Sequence, residues 1–194
     1  MHSNIEGDYH LVTDAASVAT RFLDDSAIEI VGALPRRTHP QHILFDFDGT
    51  LSLIREGWPQ VMIPMMVKIL QDTGTSETPE ELYCLTETFV MELNGKQTIY
   101  QMARLTEEVA RRGGQPKEPL AYKEEYHKRL LDRIKSRHEA LRAGADPNEL
   151  LVPGSINFLQ ALMDRDVQLH LASGTDEAFV KEEVELLGLT PFFG

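Results

Sequence analysis

The residues best suited to chemistry in this sequence are two aspartates one residue apart, Asp46 and Asp48. They follow the apolar run Ile43-Leu44-Phe45, which is typical of a β-strand, and Gly49-Thr50 turns the chain directly after them. In an open α/β sheet, ligands bind beyond the carboxyl ends of the strands, where these carboxylates would lie. Crowded carboxylates raise each other's proton affinity unless a cation neutralises them, and their oxygens suit magnesium. The alternative is an ordinary turn, since Asp and Gly are common turn residues.

A second strand with a polar end is predicted over residues 167–172, where large apolar side chains alternate. It ends at Ser173-Gly174-Thr175-Asp176, and an amphipathic helix begins directly afterwards. A hydroxyl and tight-turn amides at a helix N-terminus form a natural phosphate site. The alternative is a plain strand-to-helix turn in which Thr175 or Asp176 caps the helix.

A long helical region separates the two strand ends. Thr78-Pro79-Glu80-Glu81 combines an N-cap, a proline at the first helical position and a capping-box glutamate, so a helix is predicted from there to about Leu93. Another is predicted over residues 98–112. Apolar residues at helical spacing predict two further helices. The apolar face of the first consists of Trp58, Met62, Met65, Met66, Ile69 and Leu70, and Pro64 marks a kink or restart in it. The apolar face of the second consists of Tyr122, Tyr126, Leu130, Ile134 and Leu141. These faces indicate a small bundle.

Shorter elements complete the pattern. Asp14 is predicted to cap an N-terminal helix, and residues 28–31 are predicted to form a short strand. Arg36 and Arg37 lie in a predicted linker, where they are either solvated or bind an anion. Helices with inward apolar faces are predicted before and after the second strand, at Ile156, Leu159, Leu162 and Met163, and at Phe179, Val180, Val184 and Leu187. The apolar positions of the N-terminal helix are Ala15, Val18, Ala19 and Phe22.

Composition limits the classes of function. The 19 basic and 31 acidic residues give a net charge of -12, which argues against nucleic acid or an anionic membrane as a general partner. The single Cys84 excludes an internal disulfide, suits a reducing cytoplasm, and is predicted to be a small buried residue on a helix. No apolar run approaches the length of a membrane span, and the first residues lack a signal pattern. A cytoplasmic protein is therefore predicted.

The strand followed by Asp46-x-Asp48-Gly49-Thr50-Leu51 closely resembles the first motif of the haloacid dehalogenase (HAD) superfamily, most of whose members are magnesium-dependent phosphatases. Ser173-Gly174-Thr175, with Val152-Pro153-Gly154 before it, resembles the second motif. The arrangement resembles the subgroup with a helical cap inserted after the first motif, which includes phosphoglycolate phosphatase-like and β-phosphoglucomutase-like proteins. The motif-level resemblance covers residues 41–56 and 150–190. It implies an α/β fold with a Rossmann-like core of parallel strands, incomplete at the C-terminus. The core is expected at residues 41–56 and 150–194, the cap at 57–149, and an extension or linker at 1–40.

The resemblance also implies roles. Asp46 would be the nucleophile that forms an aspartyl-phosphate, and Asp48 the general acid and base. A side-chain oxygen of Asp46 and the backbone carbonyl of Asp48 would bind magnesium. Ser173, the Gly174 amide and turn amides near Phe47 and Asp48 would hold the phosphoryl oxygens, and Thr50 would brace the loop. Family members that dehalogenate usually lack the second aspartate, so Asp48 favours phosphoryl transfer.

The predicted cap is expected to select the substrate. Residues 93–97 resemble a cap loop that approaches the active site in relatives, so Lys96 could meet a substrate anion; a solvated lysine is the alternative. The seven histidines show no metal-binding spacing, and His39 and His42 are interpreted as linker residues. The family's later lysine and further acidic motif have no match, and Lys181 comes too early to be that lysine.

The predicted function is magnesium-dependent hydrolysis of a small phosphorylated metabolite through an aspartyl-phosphate. The unmatched motifs suggest a fragment of a longer enzyme; the alternative is a divergent member that has lost its full site. An incomplete core is expected to expose apolar surface and to self-associate or need its missing part. Two other functions stay open, a sugar phosphomutase and a non-catalytic HAD-like binding or regulatory module.

Overall fold

The fold is known from a computed structural model, which describes residues 20–31 and 39–193. The chain divides into two compact units, Met1–Pro40 and Gln41–Gly194. Most of the predicted N-terminal helix, from Asp14 to Ala19, and both linker arginines lie outside the described residues.

The described part of the first unit is an antiparallel pair, β1 (Thr20–Phe22) and β2 (Glu29–Val31). The strand predicted over residues 28–31 is thus confirmed. The assignment of Phe22 to a helix is wrong, because this residue pairs with Glu29 in β1. A tight turn joins the strands, in which the Leu23 amide donates to the Ile28 carbonyl at 2.9 Å and Asp25 adopts a φ of 57°.

The second unit is a mixed α/β structure made mostly of helices. In chain order its elements are β3 (His42–Phe45), α1 (Pro59–Gln71), α2 (Pro79–Glu92), α3 (Thr98–Arg111), α4 (Pro119–Arg142), a 3₁₀ turn (Pro147–Leu150), α5 (Ser155–Met163), β4 (Gln168–Leu171), α6 (Glu177–Leu186) and a second 3₁₀ turn (Thr190–Phe192). In the described part of the chain, no helix has a stretch long and apolar enough to cross a membrane.

Strands β3 and β4 pair in parallel, with Phe45 opposite Leu171. The Ala172 amide continues the ladder by donating to the Phe45 carbonyl at 2.8 Å. The segments before α1 and after α4 also meet: the Leu53 amide donates to the Leu150 carbonyl at 2.8 Å, and the Val152 amide to the Leu51 carbonyl at 2.9 Å. The carboxyl ends of both strands therefore lie side by side. The first and last residues of the helical segment also lie next to each other.

The local sequence patterns predict most of the helices that the structure shows. At the start of α2 the capping box is present, with the Thr78 hydroxyl accepting from the Glu81 amide at 3.2 Å and the Glu81 carboxylate accepting from the Thr78 amide at 2.8 Å. Helix α1 continues through Pro64. All five residues of the α4 face are buried, and so are Met62, Met65, Met66 and Leu70 of α1.

Three local predictions are wrong. Cys84 is exposed, because the buried face of α2 runs through Leu82, Thr86 and Phe89 and leaves position 84 on the opposite side. Met163, at the end of α5, is 39% exposed instead of facing inward. His42 is not a linker residue, since it begins β3 and its Nδ1 lies 3.0 Å from Nε2 of His170 in β4.

Candidate active site

The parallel pairing of β3 and β4 brings the two predicted polar strand ends into contact. Thr175 Oγ1 donates to Asp48 Oδ2 at 2.8 Å, and Ser173 Oγ donates to the same oxygen at 3.3 Å. The Ser173 hydroxyl also accepts from the Thr175 amide at 3.0 Å. One oxygen of the Asp48 carboxylate is therefore held by two hydroxyls from the turn after the neighbouring strand.

The loop after β3 is folded tightly around Phe47. The side chain of Phe47 is fully buried, and its carbonyl accepts from the amides of Leu51 at 2.9 Å and Ser52 at 3.0 Å. Gly49 adopts a φ of 77°, a left-handed conformation that glycine reaches without steric cost. Thr50 Oγ1 donates to Asp46 Oδ2 at 3.3 Å. A buried aromatic anchor and a tight turn thus hold both aspartates at the loop surface.

A buried ionic cluster lies beside the aspartates, and the sequence interpretation missed it. Arg55 is 5% exposed, and its Nε and Nη2 donate to the Glu183 carboxylate of α6 at 3.1 and 2.8 Å. Its Nε also lies 3.6 Å from Asp48 Oδ1. His138 of α4 places Nε2 3.3 Å from the same Glu183 carboxylate. We call Arg55, Glu183 and His138 the buried ionic cluster.

Burial dominates the electrostatics of this cluster. It raises the pKa of Glu183 above its usual value, and the hydrogen bonds and charge of Arg55 oppose that effect. It also raises the pKa of the nearby Tyr126 hydroxyl. Sequence did carry a signal for the cluster: Glu183 and His138 occupy positions on the apolar faces of their helices. Charged residues at such positions are rarely buried without a partner.

The aspartates open into a cavity of about 110 Å³ between the strand ends and the helices. Four predicted site residues, Asp46, Asp48, Gly174 and Lys96, line it, whereas Phe47, Thr50 and Ser173 do not. The other lining residues are Arg55, Trp58, Met62, Asn94, Gly95, Thr98, Gln101, Tyr126, His127, Leu130 and Thr175.

The turn that carries Lys96 packs closely on the second strand end. A Cβ at Gly174 would lie 3.2 Å from the Lys96 carbonyl oxygen and 3.5 Å from Gln97 Cα. Such a distance is tighter than most Cβ contacts, so a side chain at position 174 would push the turn away. Glycine at this position therefore lets the helical segment approach the end of β4.

A second polar link joins α4 to the start of α6. Lys123 Nζ donates to Asp176 Oδ1 at 2.7 Å, which holds the pKa of Asp176 below its usual value. Asp176 occupies the N-cap position of α6, but its side chain makes no capping hydrogen bond. Burial lowers the pKa of His127, which lines the cavity. Asp176 thus serves as the partner of a lysine rather than as the cap.

Magnesium is compatible with the oxygen atoms at the end of β3. Mg²⁺ is usually held by one or two carboxylates together with water and substrate phosphate oxygens. The exposed Asp46 carboxylate faces the cavity and meets that requirement. Within residues 20–31 and 39–193, no group of three or more histidine, cysteine, aspartate or glutamate side chains could form a complete metal cage. A metal here would therefore rely on water and substrate for most of its ligands.

Comparison with known proteins finds similarity among solved structures. No family model matches the sequence, and no curated protein matches it. Among solved structures, the chain is similar to YfnB from Bacillus subtilis, a predicted HAD-hydrolase crystallised with magnesium, at 16% identity and a TM-score of 0.40. The match covers 80% of this chain and 63% of that structure. The similarity is too weak to assign this chain to a family.

Proposed function

We propose that this site is that of a HAD-like phosphatase, which hydrolyses a small phosphomonoester with the help of magnesium. The observation that carries the proposal is the contact between Asp48 and the two hydroxyls of Ser173 and Thr175, because it joins both motif-like segments at one cavity. Lys96 lines the same cavity and provides positive charge for an anionic substrate in a protein of net charge -12.

The first step transfers the phosphoryl group to the protein. An Asp46 oxygen attacks phosphorus, the bond from phosphorus to the ester oxygen breaks, and Asp48 donates a proton to the leaving alcohol. Asp46 suits the role of nucleophile because it is exposed and Thr50 fixes one of its oxygens. The products of this step are the free alcohol and an aspartyl-phosphate.

The second step releases phosphate. Asp48, now ionised, takes a proton from water as that water attacks phosphorus, and the bond to Asp46 breaks. Gly174 and the backbone near Phe47 and Asp48 would hold the phosphoryl oxygens, while Ser173 and Thr175 keep Asp48 in place. Asp46 and the Asp48 carbonyl would hold magnesium, which would offset phosphoryl charge when bound.

We propose that residues 57–149 act as a helical cap on a core formed by residues 41–56 and 150–194. The support is that Trp58, Asn94 and Lys96 line the same cavity as the residues that follow the two strands. Because Asn94 adds a polar side chain to this cavity, we propose a substrate in which the phosphoryl group is attached to a polar alcohol. Lys96 would contact a second anionic or polar group of such a substrate.

The experiment is a screen of small phosphomonoesters with and without magnesium, followed by phosphate release. We expect magnesium-dependent turnover that Asp46→Asn abolishes and Asp48→Asn lowers by about 10²–10⁴-fold. Asp132→Asn, an exposed aspartate of α4, is the control and should leave turnover unchanged.

Three results would contradict the proposal. Turnover that survives Asp46→Asn would refute the nucleophile. Isomerised sugar phosphate without free phosphate would indicate a phosphomutase. Binding of phosphomonoesters without turnover by the wild-type chain would indicate a binding module.

A further inference from the structure

The two oxygens of the Asp48 carboxylate have different surroundings. Its Oδ2 accepts the hydrogen bonds of Thr175 and Ser173, whereas its Oδ1 is buried and has no hydrogen-bond partner among the residues that the structure describes. A buried carboxylate oxygen without a donor is costly unless a positive charge lies nearby. The nearest such charge is Arg55 Nε, at 3.6 Å.

Arg55 cannot easily turn away from this position. Glu183, itself fully buried, accepts from Arg55 Nε at 3.1 and 3.2 Å and from Nη2 at 2.8 Å. Such a two-pronged contact fixes the plane of the guanidinium group. The guanidinium carbon also lies 5.7 Å from the centre of the Phe179 ring. Arg55 thus donates the single N–H of its Nε to Glu183, and α6 locks its guanidinium charge 3.6 Å from Asp48 Oδ1.

The backbone of Arg55 is fixed as well. Arg137 of α4 donates through Nη1 to the carbonyls of Ile54 at 2.6 Å and Glu56 at 2.8 Å, on either side of Arg55. Side chain and backbone are therefore held by two different helices. This is more restraint than a surface ion pair receives.

We propose that Arg55 is a positioning residue for the general acid and base Asp48, and that Glu183 holds Arg55 for this purpose. The inference rests on the proposed phosphatase function. Proton transfer requires the acid within hydrogen-bond reach of the leaving oxygen. An error of about 1 Å can cost about 10²-fold in rate.

The test uses two substrates that differ in their need for a proton. The alcohol of glycerol phosphate must be protonated as it leaves, whereas the nitrophenolate of p-nitrophenyl phosphate leaves without a proton. We expect Arg55→Met to lower kcat/KM for glycerol phosphate by about 10²-fold and for p-nitrophenyl phosphate by much less. Because kcat/KM covers steps only through departure of the leaving group, the later hydrolysis step does not obscure the comparison.

Two further variants separate positioning from folding. Arg55→Lys keeps the charge but loses the two-pronged contact, so it should restore part of the glycerol phosphate activity. Arg55→Met combined with Glu183→Leu removes both buried charges and should fold, yet show the same substrate difference as Arg55→Met. Lys128→Met, at an exposed lysine of α4, is the control and should change kcat/KM for neither substrate.

Equal losses on both substrates, or no loss, would overturn the proposal. If the wild-type chain turns over no phosphomonoester, the proposed function has failed. A double-mutant cycle of Asp48→Asn and Arg55→Met, measured by unfolding, then tests separately whether the two residues interact. Positioning predicts that the unfolding midpoint of the double variant falls by less than the sum of the single losses. Additive losses would refute the link between Arg55 and Asp48.

Discussion

Arg137 gives the sharpest stability prediction, because one guanidinium nitrogen meets three backbone carbonyls. Its Nη1 lies 2.6 Å from the Ile54 oxygen, 2.8 Å from the Glu56 oxygen and 3.3 Å from the Leu53 oxygen. We therefore expect Arg137→Met to loosen the loop that carries Arg55 as well as to lower stability.

The size of the effect follows from the number of protons. Nη1 carries two N–H groups, so the two shortest contacts are full hydrogen bonds and the third is secondary. A hydrogen bond to a charged group contributes about 1.5–3 kcal/mol. Water can replace the exposed contact to Glu56, so Arg137→Met should lower the free energy of unfolding by about 2–3 kcal/mol in total.

Urea unfolding followed by circular dichroism measures this change, and Lys128→Met, at an exposed position of the same helix, is the matched control. The control should stay within about 0.5 kcal/mol of wild type, as exposed substitutions usually do. If Arg137→Met changes the free energy of unfolding no more than Lys128→Met does, the carbonyl contacts do not stabilise the loop. A large loss in both variants would instead assign the effect to α4 as a whole.

Three further outcomes are expected. Glu108→Ala should lower the free energy of unfolding in urea by about 2–3 kcal/mol. This is less than is usual for a broken buried ion pair, because Arg112 keeps another carboxylate partner. A loss under 1 kcal/mol would contradict this prediction. Gly174→Ala should displace the Lys96 turn, lower kcat/KM and lower the free energy of unfolding by about 1 kcal/mol. Unchanged kinetics would contradict the close packing. Because burial lowers the pKa of His127 below 6.5, the unfolded chain takes up that proton first as the pH falls. The stability advantage of wild type over His127→Gln should therefore shrink from about pH 7 to about pH 5, and a constant difference would refute it.

Local signals predicted the elements well. The capping box at Thr78 and Glu81 and the alternation before Ser173 depend on neighbours within a few residues, so sequence alone places them. The same holds for the strand before Asp46. The failures at Cys84 and Met163 have a different origin, since which side of a helix is covered depends on elements far along the chain.

The buried ionic cluster shows the limit of sequence interpretation most clearly. Arg55 and Glu183 are separated by 128 residues, and no local pattern pairs them. The sequence shows that each is a charged residue among apolar neighbours. Its partner is known only once the strands pair in parallel and α4 packs near α6. The position of Asp48 between hydroxyls and guanidinium followed only from that packing.

The pairing of residues 51–53 with residues 150–152 also bears on how such a protein can change over evolution. Because both ends of the helical segment already meet, lengthening or shortening it adds little loop-closure entropy to the rest of the chain. We therefore expect the helical segment between these residues to tolerate changes of length without moving the strand end that carries Asp46 and Asp48. Contacts such as those of Arg137 with the loop beside Asp48 and of His138 with Glu183 limit this freedom, because a replacement segment would have to reproduce them.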